Sequence, residues 1–421
     1  MSQVSTRQIA FASFIGTAIE FYDFYIYAMA AALVIGQIFF PVSDAAAQSL
    51  NAFLTFGIAF IARPVGALLF GHFGDKFGRK TTLAASLLVM GVCTLLIGLL
   101  PGYDTLGWLA PVALCILRFG QGIGLGGEWG GAALLATEYA PPGKRGWFGM
   151  FPQLGPSIGF LLATLSYLAL SLFLSEAQFN AWGWRIPFVA SALLVGVGLY
   201  VRFKLAETPA FTAAQQKKEL HVMPLKALFH QHLGAVALGA LAMVVCYNLF
   251  YTATVFCLSY GTKELGIPRV EFLQLLCVAV LFMTLATPVS AGLSDQFGRR
   301  PVLLTSSLLA VLAGFALAPL MQGGVMAILG FLALALFLMG ASFAPMGAFL
   351  PEQFPVALRY SGAGLAYQLG GILGASLAPY ISQLLVIKGG LAWVGAYMSA
   401  MAMVSFVAVY FMRETASLKA E

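Results

Sequence analysis

From Val325 to Leu350 the chain carries no charged side chain, and eleven other stretches are nearly as apolar. These runs restrict the possible folds severely. A bilayer offers the backbone no hydrogen-bond partner, so only helices or closed barrels cross it, and about twenty apolar residues make one helical crossing. The alternating ten-residue pattern of a barrel strand is absent. Composition agrees: the chain is 60% hydrophobic and 9% charged, whereas soluble domains average about half and about a quarter. The expected class is an all-α membrane protein. In a soluble protein the net charge of +6 would suggest nucleic acid; here loop topology accounts for it, and no nucleic-acid partner is expected.

The runs predict spans near 11–39, 50–72, 81–100, 107–137, 147–174 and 183–205, then near 233–261, 269–293, 301–321, 325–350, 360–386 and 389–413. The only long polar connection, Ala206 to His232, divides the chain into a six-helix unit at 1–205, a linker at 206–232 and a second six-helix unit at 233–421. The first run continues past Phe24 and carries Glu20 and Asp23, which argues for a retained helix rather than a cleaved signal. Lysine and arginine accumulate on the cytoplasmic side of short loops. With both termini inside, sixteen of them fall in the cytoplasm, and Arg185, Lys263, Arg269 and Lys388 fall outside.

The two units repeat. Gly74-Asp75-Lys76-Phe77-Gly78-Arg79-Lys80 returns as Ser294-Asp295-Gln296-Phe297-Gly298-Arg299-Arg300, and the Glu138 to Arg145 spacing returns as Glu352 to Arg359. Two motifs at nearly one offset imply a duplicated bundle. Read from Gly71 to Lys80, the first motif resembles the signature loop of the major facilitator superfamily, G-x-x-x-D-x-x-G-R-[RK], and the resemblance covers essentially the whole chain. Within that superfamily the chain most resembles the metabolite:proton symporters, through the segments 16–24, 126–132 and 182–188.

The resemblance implies twelve transmembrane helices in two pseudo-symmetric bundles, placed as a monomer in a bacterial inner membrane. It also implies a pocket between the bundles, where a proton gradient drives uptake of a small organic acid or zwitterion by alternating access. Phe151-Pro152-Gln153-Leu154-Gly155 looks like the symporter pattern, while Gly155-Pro156-Ser157-Ile158-Gly159 partly matches the G-P-x-x-G element of proton antiporters. A proton antiporter or organic-acid exchanger is therefore the alternative. A transporter-like sensor would need an output domain, for which the tails are expected to be too short.

Charges at membrane depth are costly and usually functional, and five fall within the predicted spans: Glu20, Asp23, Arg63, Arg118 and Glu128. Helical spacing places Glu20, Asp23 and Tyr27 on one face of the first helix and Arg118, Gln121, Leu125 and Glu128 on one stripe of the fourth. Arg118 and Glu128 are about 15 Å apart along one helix and cannot pair. Because carboxyl protonation responds to burial and to neighbouring arginines, Asp23 and Glu128 are expected to carry the coupled proton, with Glu20 as a third candidate. Arg118 and Arg63 are expected to hold an anionic group. The competing reading makes Glu20, Arg63 and Glu128 a permanent ion-pair cluster. Gln121, Tyr27, Trp129 and Gln153 join the expected lining, as do Tyr247, Asn248, Tyr251, Tyr367 and Gln368 from the second unit.

Asp75, Arg79 and Arg145, with their repeats Asp295, Arg299 and Arg359, are expected to gate the cytoplasmic side. The aspartates would accept from helix N-terminal amides or pair with Arg145 and Arg359. Residues 122–127 satisfy G-x-G-x-x-G, but no strand precedes them, so close helix packing is the expected reason for these glycines. The five cysteines lie within spans without a CxxC or metal-ligand spacing. No metal and no cofactor beyond the proton gradient is expected, and the lack of a nucleophile–base pair at depth argues against an enzyme.

Overall fold

The computed structural model describes the backbone of residues 6–77, 79–126, 140–204, 231–355 and 358–416, with Ala133, Ala136, Thr137 and Leu228, and their side chains except at 6–13, 71–83, 201–204 and 360. Among the described residues twelve helices follow the apolar runs, ten of them long and apolar enough to cross a membrane and two shorter. In the first half they are α1 (Thr6–Ala30, continuing through a π-helical turn at Ala31–Ile35 to Gly36–Phe39), α2 (Ala45–Phe77), α3 (Arg79–Leu99), α4 (Leu109–Leu125), α5 (Arg145–Phe173) and α6 (Ile186–Lys204). The second half holds α7 (Leu233–Tyr251, a π-helical turn at Thr252–Phe256, then Cys257–Lys263), α8 (Arg269–Phe297), α9 (Arg299–Gln322) and α10 (Val325–Glu352). It ends with α11 (Arg359–Gly371, a π-helical turn at Ile372–Ser376, then Ala378–Gly389) and α12 (Leu391–Phe411).

Several helices outrun their apolar stretches. α2, α8 and α10 continue into polar loop residues because helical hydrogen bonding does not stop where hydropathy falls. A short helix, Tyr103–Leu106, precedes the fourth run, and Gly107, at φ +56, separates it from α4. Residues 127–132 of the same run lie outside the described residues, as does most of the expected linker.

Within the first half, α1 packs on α5, α2 on α4, and α3 on α4 and α6; in the second, α7 packs on α11 and α12, α8 on α10, and α9 on α10 and α12. The halves meet where α5 lies on α8 and α10 and where α2 lies on α11. Large apolar side chains such as Leu96, Ile116, Leu165, Phe315 and Trp393 are exposed on the outside, which suits a lipid solvent.

Glycines set the closest helix approaches. A Cβ at Gly122 would come within 2.8 Å of the Ala59 main chain, and one at Gly124 within 2.8 Å of Met90, so the G-x-G-x-x-G run locks α4 onto α2 and α3. A Cβ at Gly159 would lie 2.7 Å from the Ala18 carbonyl, and Gly155 abuts Thr17 in the same way. The G-P-x-x-G element therefore has a packing role, closing α5 onto α1.

Gly122→Leu should unfold at a temperature several degrees below the parent, the signature of overpacking that costs about 1–3 kcal/mol. Gly196→Leu, whose added Cβ meets nothing within 4 Å, should leave the transition unchanged. Thermal unfolding of the purified protein in detergent makes the comparison.

Candidate functional site

Arg118, Gln121, Tyr27 and Asp23 come together inside the first half, all of them fully buried. Arg118 Nε donates to the Thr55 carbonyl at 3.3 Å and Nη2 to the Phe56 carbonyl at 2.9 Å, while Nη1 donates to Gln121 Oε1. Its guanidinium carbon lies 3.7 Å from the Tyr27 ring centroid, a cation–π contact, and Phe24 and Phe56 stand at 5.3 and 5.8 Å. Gln121 Nε2 donates to Thr94 Oγ1 at 2.9 Å and to the Asp23 main-chain oxygen at 3.3 Å. The Tyr27 hydroxyl shares a 2.6 Å bond with Thr55 Oγ1.

Asp23 is the exception in this network. Its buried carboxylate has the Ser191 hydroxyl of α6 as a polar neighbour, too loosely placed for a well-formed hydrogen bond, and no cation pairs with it among the described residues. A buried ionised carboxylate left in this state is expensive. Arg118 and Gln121, expected to line a binding site, commit these polar groups within the first half rather than toward the second.

Arg63 of α2 is the guanidinium that faces the other half. It sits 4.6 Å from the Phe24 centroid and 4.3 Å from that of Phe60, and its Nε has no hydrogen-bond partner. The phenols of Tyr25, Tyr247, Tyr251 and Tyr367 lie within its electrostatic reach. Around it a set of rings crosses the interface: Tyr25 to Phe250 at 5.0 Å, Phe56 to Tyr251 at 5.1 Å, Phe60 to Tyr251 at 5.5 Å, and Phe60 to Tyr247 at 6.3 Å. Such tilted and edge-on pairs are favourable ring geometries. Glu20 is buried on α1 and acts electrostatically on Tyr367.

The second half contributes unevenly. Tyr247, Tyr251 and Tyr367 reach the interface, and Gln368 Nε2 donates across it to the Gly126 carbonyl at 3.1 Å, leaving Oε1 buried and unpartnered. Asn248, expected in the lining, is buried with neither amide atom in a well-formed hydrogen bond, and the Tyr397 hydroxyl of α12 is a polar neighbour. Gln153 also crosses the interface, donating to the Phe343 carbonyl at 2.9 Å. Glu128, Trp129 and the side chains of Asp75 and Arg79 lie outside the described residues.

Among the described residues, contacts join the halves at both ends of the interface. At the end that carries the α8–α9 loop, Asp295 accepts from the amides of Gly146 at 2.9 Å and Trp147 at 2.8 Å, capping α5 of the other half. Its ionic partner is Arg299 at 2.9 Å rather than Arg145 or Arg359, and Arg299 also pairs with Glu352 at 3.2 Å. Arg359 donates instead to the Phe354 carbonyl.

Sequence reasoning missed Glu414, whose carboxylate accepts from the amides of Arg299 and Arg300 at 3.0 and 2.8 Å at the start of α9. It also missed the opposite end. There Arg269 pairs with Glu176 at 3.0 Å, bonds Ser171 at 2.9 Å and covers the Phe179 ring, while Lys263 donates to Ser49 at 3.1 Å. The only signal for Arg269 and Lys263 was their place among four basic residues assigned outside.

Comparison with known proteins follows the same division. Residues 9–226 match the profile described as "Sugar (and other) transporter", and residues 251–421 match "Major Facilitator Superfamily". The chain is 50% identical to the inner membrane metabolite transport protein YhjE of Escherichia coli strain K12, over 98% of its own length and 95% of the relative's. To the shikimate transporter of the same organism it is 36% identical over 99% and 96%, and to its proline/betaine transporter 34% identical over 98% and 84%. The partially occluded, inward-open xylose transporter XylE from E. coli superposes with a TM-score of 0.78 at 17% identity, covering 97% of this chain and 98% of that one.

The two sets of contacts should bias the protein in opposite directions. With a single cysteine placed at the buried Ala344, in a background free of the native cysteines, Asp295→Ala should raise the alkylation rate and Arg269→Ala should lower it. A change of about fivefold is expected for each, the effect of roughly 1 kcal/mol on a two-state equilibrium. Equal rates in both variants would separate these contacts from opening.

Proposed function

Because this chain belongs to the Major Facilitator Superfamily, we propose that it works as a proton-coupled symporter of a small organic acid or zwitterion, driven by alternating access between its two halves. It is a multi-pass membrane transporter, not an enzyme. The observation that carries the proton-coupled reading is Asp23: a carboxylate buried at 0% exposure with no paired cation and no well-formed hydrogen bond, only the Ser191 hydroxyl facing it. The fold leaves this charge uncompensated, so a proton must neutralise it or a rearrangement must supply a partner. Either event ties protonation to conformation.

Gln121 connects the Asp23 backbone to Arg118, so movement of α1 against α4 alters the surroundings of both ionisable groups together. Glu20 and Glu128 are further candidates for the proton. Arg63 is the anchor for an anionic substrate group, because it faces the second half; Arg118 holds α4 to α2. The named relatives support a small, carboxylate-bearing cargo, since shikimate, proline and betaine each have one carboxylate. The inner-membrane relative supports placement in that membrane, and the basic residues of the loops support a cytoplasmic side for both termini and the Asp295 end. The second reading is a proton antiporter or organic-acid exchanger, whose G-P-x-x-G element brings α5 close to α1 through Gly155 and Gly159.

In proteoliposomes carrying a pH-sensitive dye, addition of shikimate, proline or betaine should acidify the lumen as solute enters, and accumulation should collapse when the proton gradient is dissipated. Asp23→Asn should lose accumulation and keep only equilibration. Alkalinisation of the lumen would instead identify an antiporter, and accumulation untouched by Asp23→Asn would remove Asp23 from coupling.

A further inference from the structure

We propose that the site selects a monocarboxylate built on a compact, hydroxylated ring and discriminates against molecules that carry a second carboxylate. This rests on the preceding reading that solute binds between the halves. The argument begins with a count of cations. Of the 22 lysines and arginines, only Arg63 and Arg118 fall at membrane depth.

Arg118 is bonded to two main-chain carbonyls and Gln121 and is enclosed by Phe24, Tyr27 and Phe56. Arg63 alone presents a guanidinium to the interface, with Nε unpartnered. One planar fork matches one carboxylate. A second carboxylate would be desolvated without a counter-charge, in a region that already holds Glu20 and Asp23, and neutral hydrogen bonds do not offset that cost.

The body of the ligand is indicated by the surrounding surface. Tyr25, Phe56 and Phe60 of the first half meet Tyr247, Phe250 and Tyr251 of the second edge-on or tilted across the interface at centroid distances of 5.0 to 6.4 Å. Separation of the halves parts these rings, and a flat ring inserted between them regains the same contacts. A flexible linear chain fills such a slot less completely. Gln368 Oε1, buried and without a hydrogen-bond donor, supplies an acceptor for a ring hydroxyl.

The test uses the purified full-length protein in detergent and matched probes. Benzoate, 3,4-dihydroxybenzoate and cyclohexanecarboxylate are compared with phthalate, cyclohexane-1,2-dicarboxylate and succinate by thermal unfolding. Ring monocarboxylates in excess over their dissociation constant should raise the transition by a few degrees, and the dicarboxylates should not. Dihydroxybenzoate should exceed benzoate, and Gln368→Leu should erase that difference.

Arg63→Gln should abolish the shifts, and Arg63→Lys should weaken them; the transition without ligand reports whether each variant folds. A dicarboxylate that matches its monocarboxylate counterpart, a panel without any ring-monocarboxylate shift, or full shifts in a folded Arg63→Gln would each overturn the proposal. Binding in detergent needs no proton gradient. Normal binding with gradient-independent uptake would therefore defeat the proton-coupled reading while leaving this selectivity standing.

Discussion

Arg118 is held by the Thr55 and Phe56 carbonyls and by Gln121, not by a carboxylate, and this choice governs the electrostatics of the first half. A guanidinium so satisfied stays buried at a tolerable energy, because charge-assisted bonds to oriented carbonyl dipoles replace its water. The same arrangement withholds a counter-ion from Asp23, which lies less than one helical turn from Glu20 on α1. One half thus carries a fixed positive group and a negative group that the fold does not balance. The other half answers with phenols and amides.

That division explains how the halves can move. An interface locked by buried ion pairs would separate only with a large desolvation cost, whereas rings such as Phe56, Tyr251 and Phe250 can part and re-form against a ligand. The ionic contacts that do cross between halves sit at the two ends. Asp295 caps α5, where the helix dipole favours a negative group, while Arg269 meets a largely exposed Glu176, a pair of modest strength. The π-helical turns of α1 and α7, which recur at the repeat distance from 31 to 252, lie against each other near the Arg269 end. There a local change of helical register requires little disruption of packing.

Much of this was legible in the sequence. Apolar runs gave the helices within a few residues, because burying an unpaired backbone in lipid is prohibited almost without exception. The repeated loop disclosed the duplication, and its aspartate does accept from helix N-terminal amides, one of the two expected contacts. Other features left no trace in residue types. Main-chain carbonyls that satisfy Arg118 could belong to any residue, so its partners were invisible. Asn248 shares a helix with Tyr247 and Tyr251 yet has Tyr397 of α12 as a polar neighbour, since one step along a helix turns a side chain by roughly 100°. Glu414 caps α9 from a tail whose spacing to the loop says nothing of proximity.

The account depends on Asp23 changing its protonation in the working carrier. Infrared difference spectroscopy of the reconstituted protein, titrated with acid, reads this directly through the carbonyl band of a protonated carboxyl group. The wild type should gain such a band that is absent from Asp23→Asn. Identical spectra from the two proteins would contradict the account.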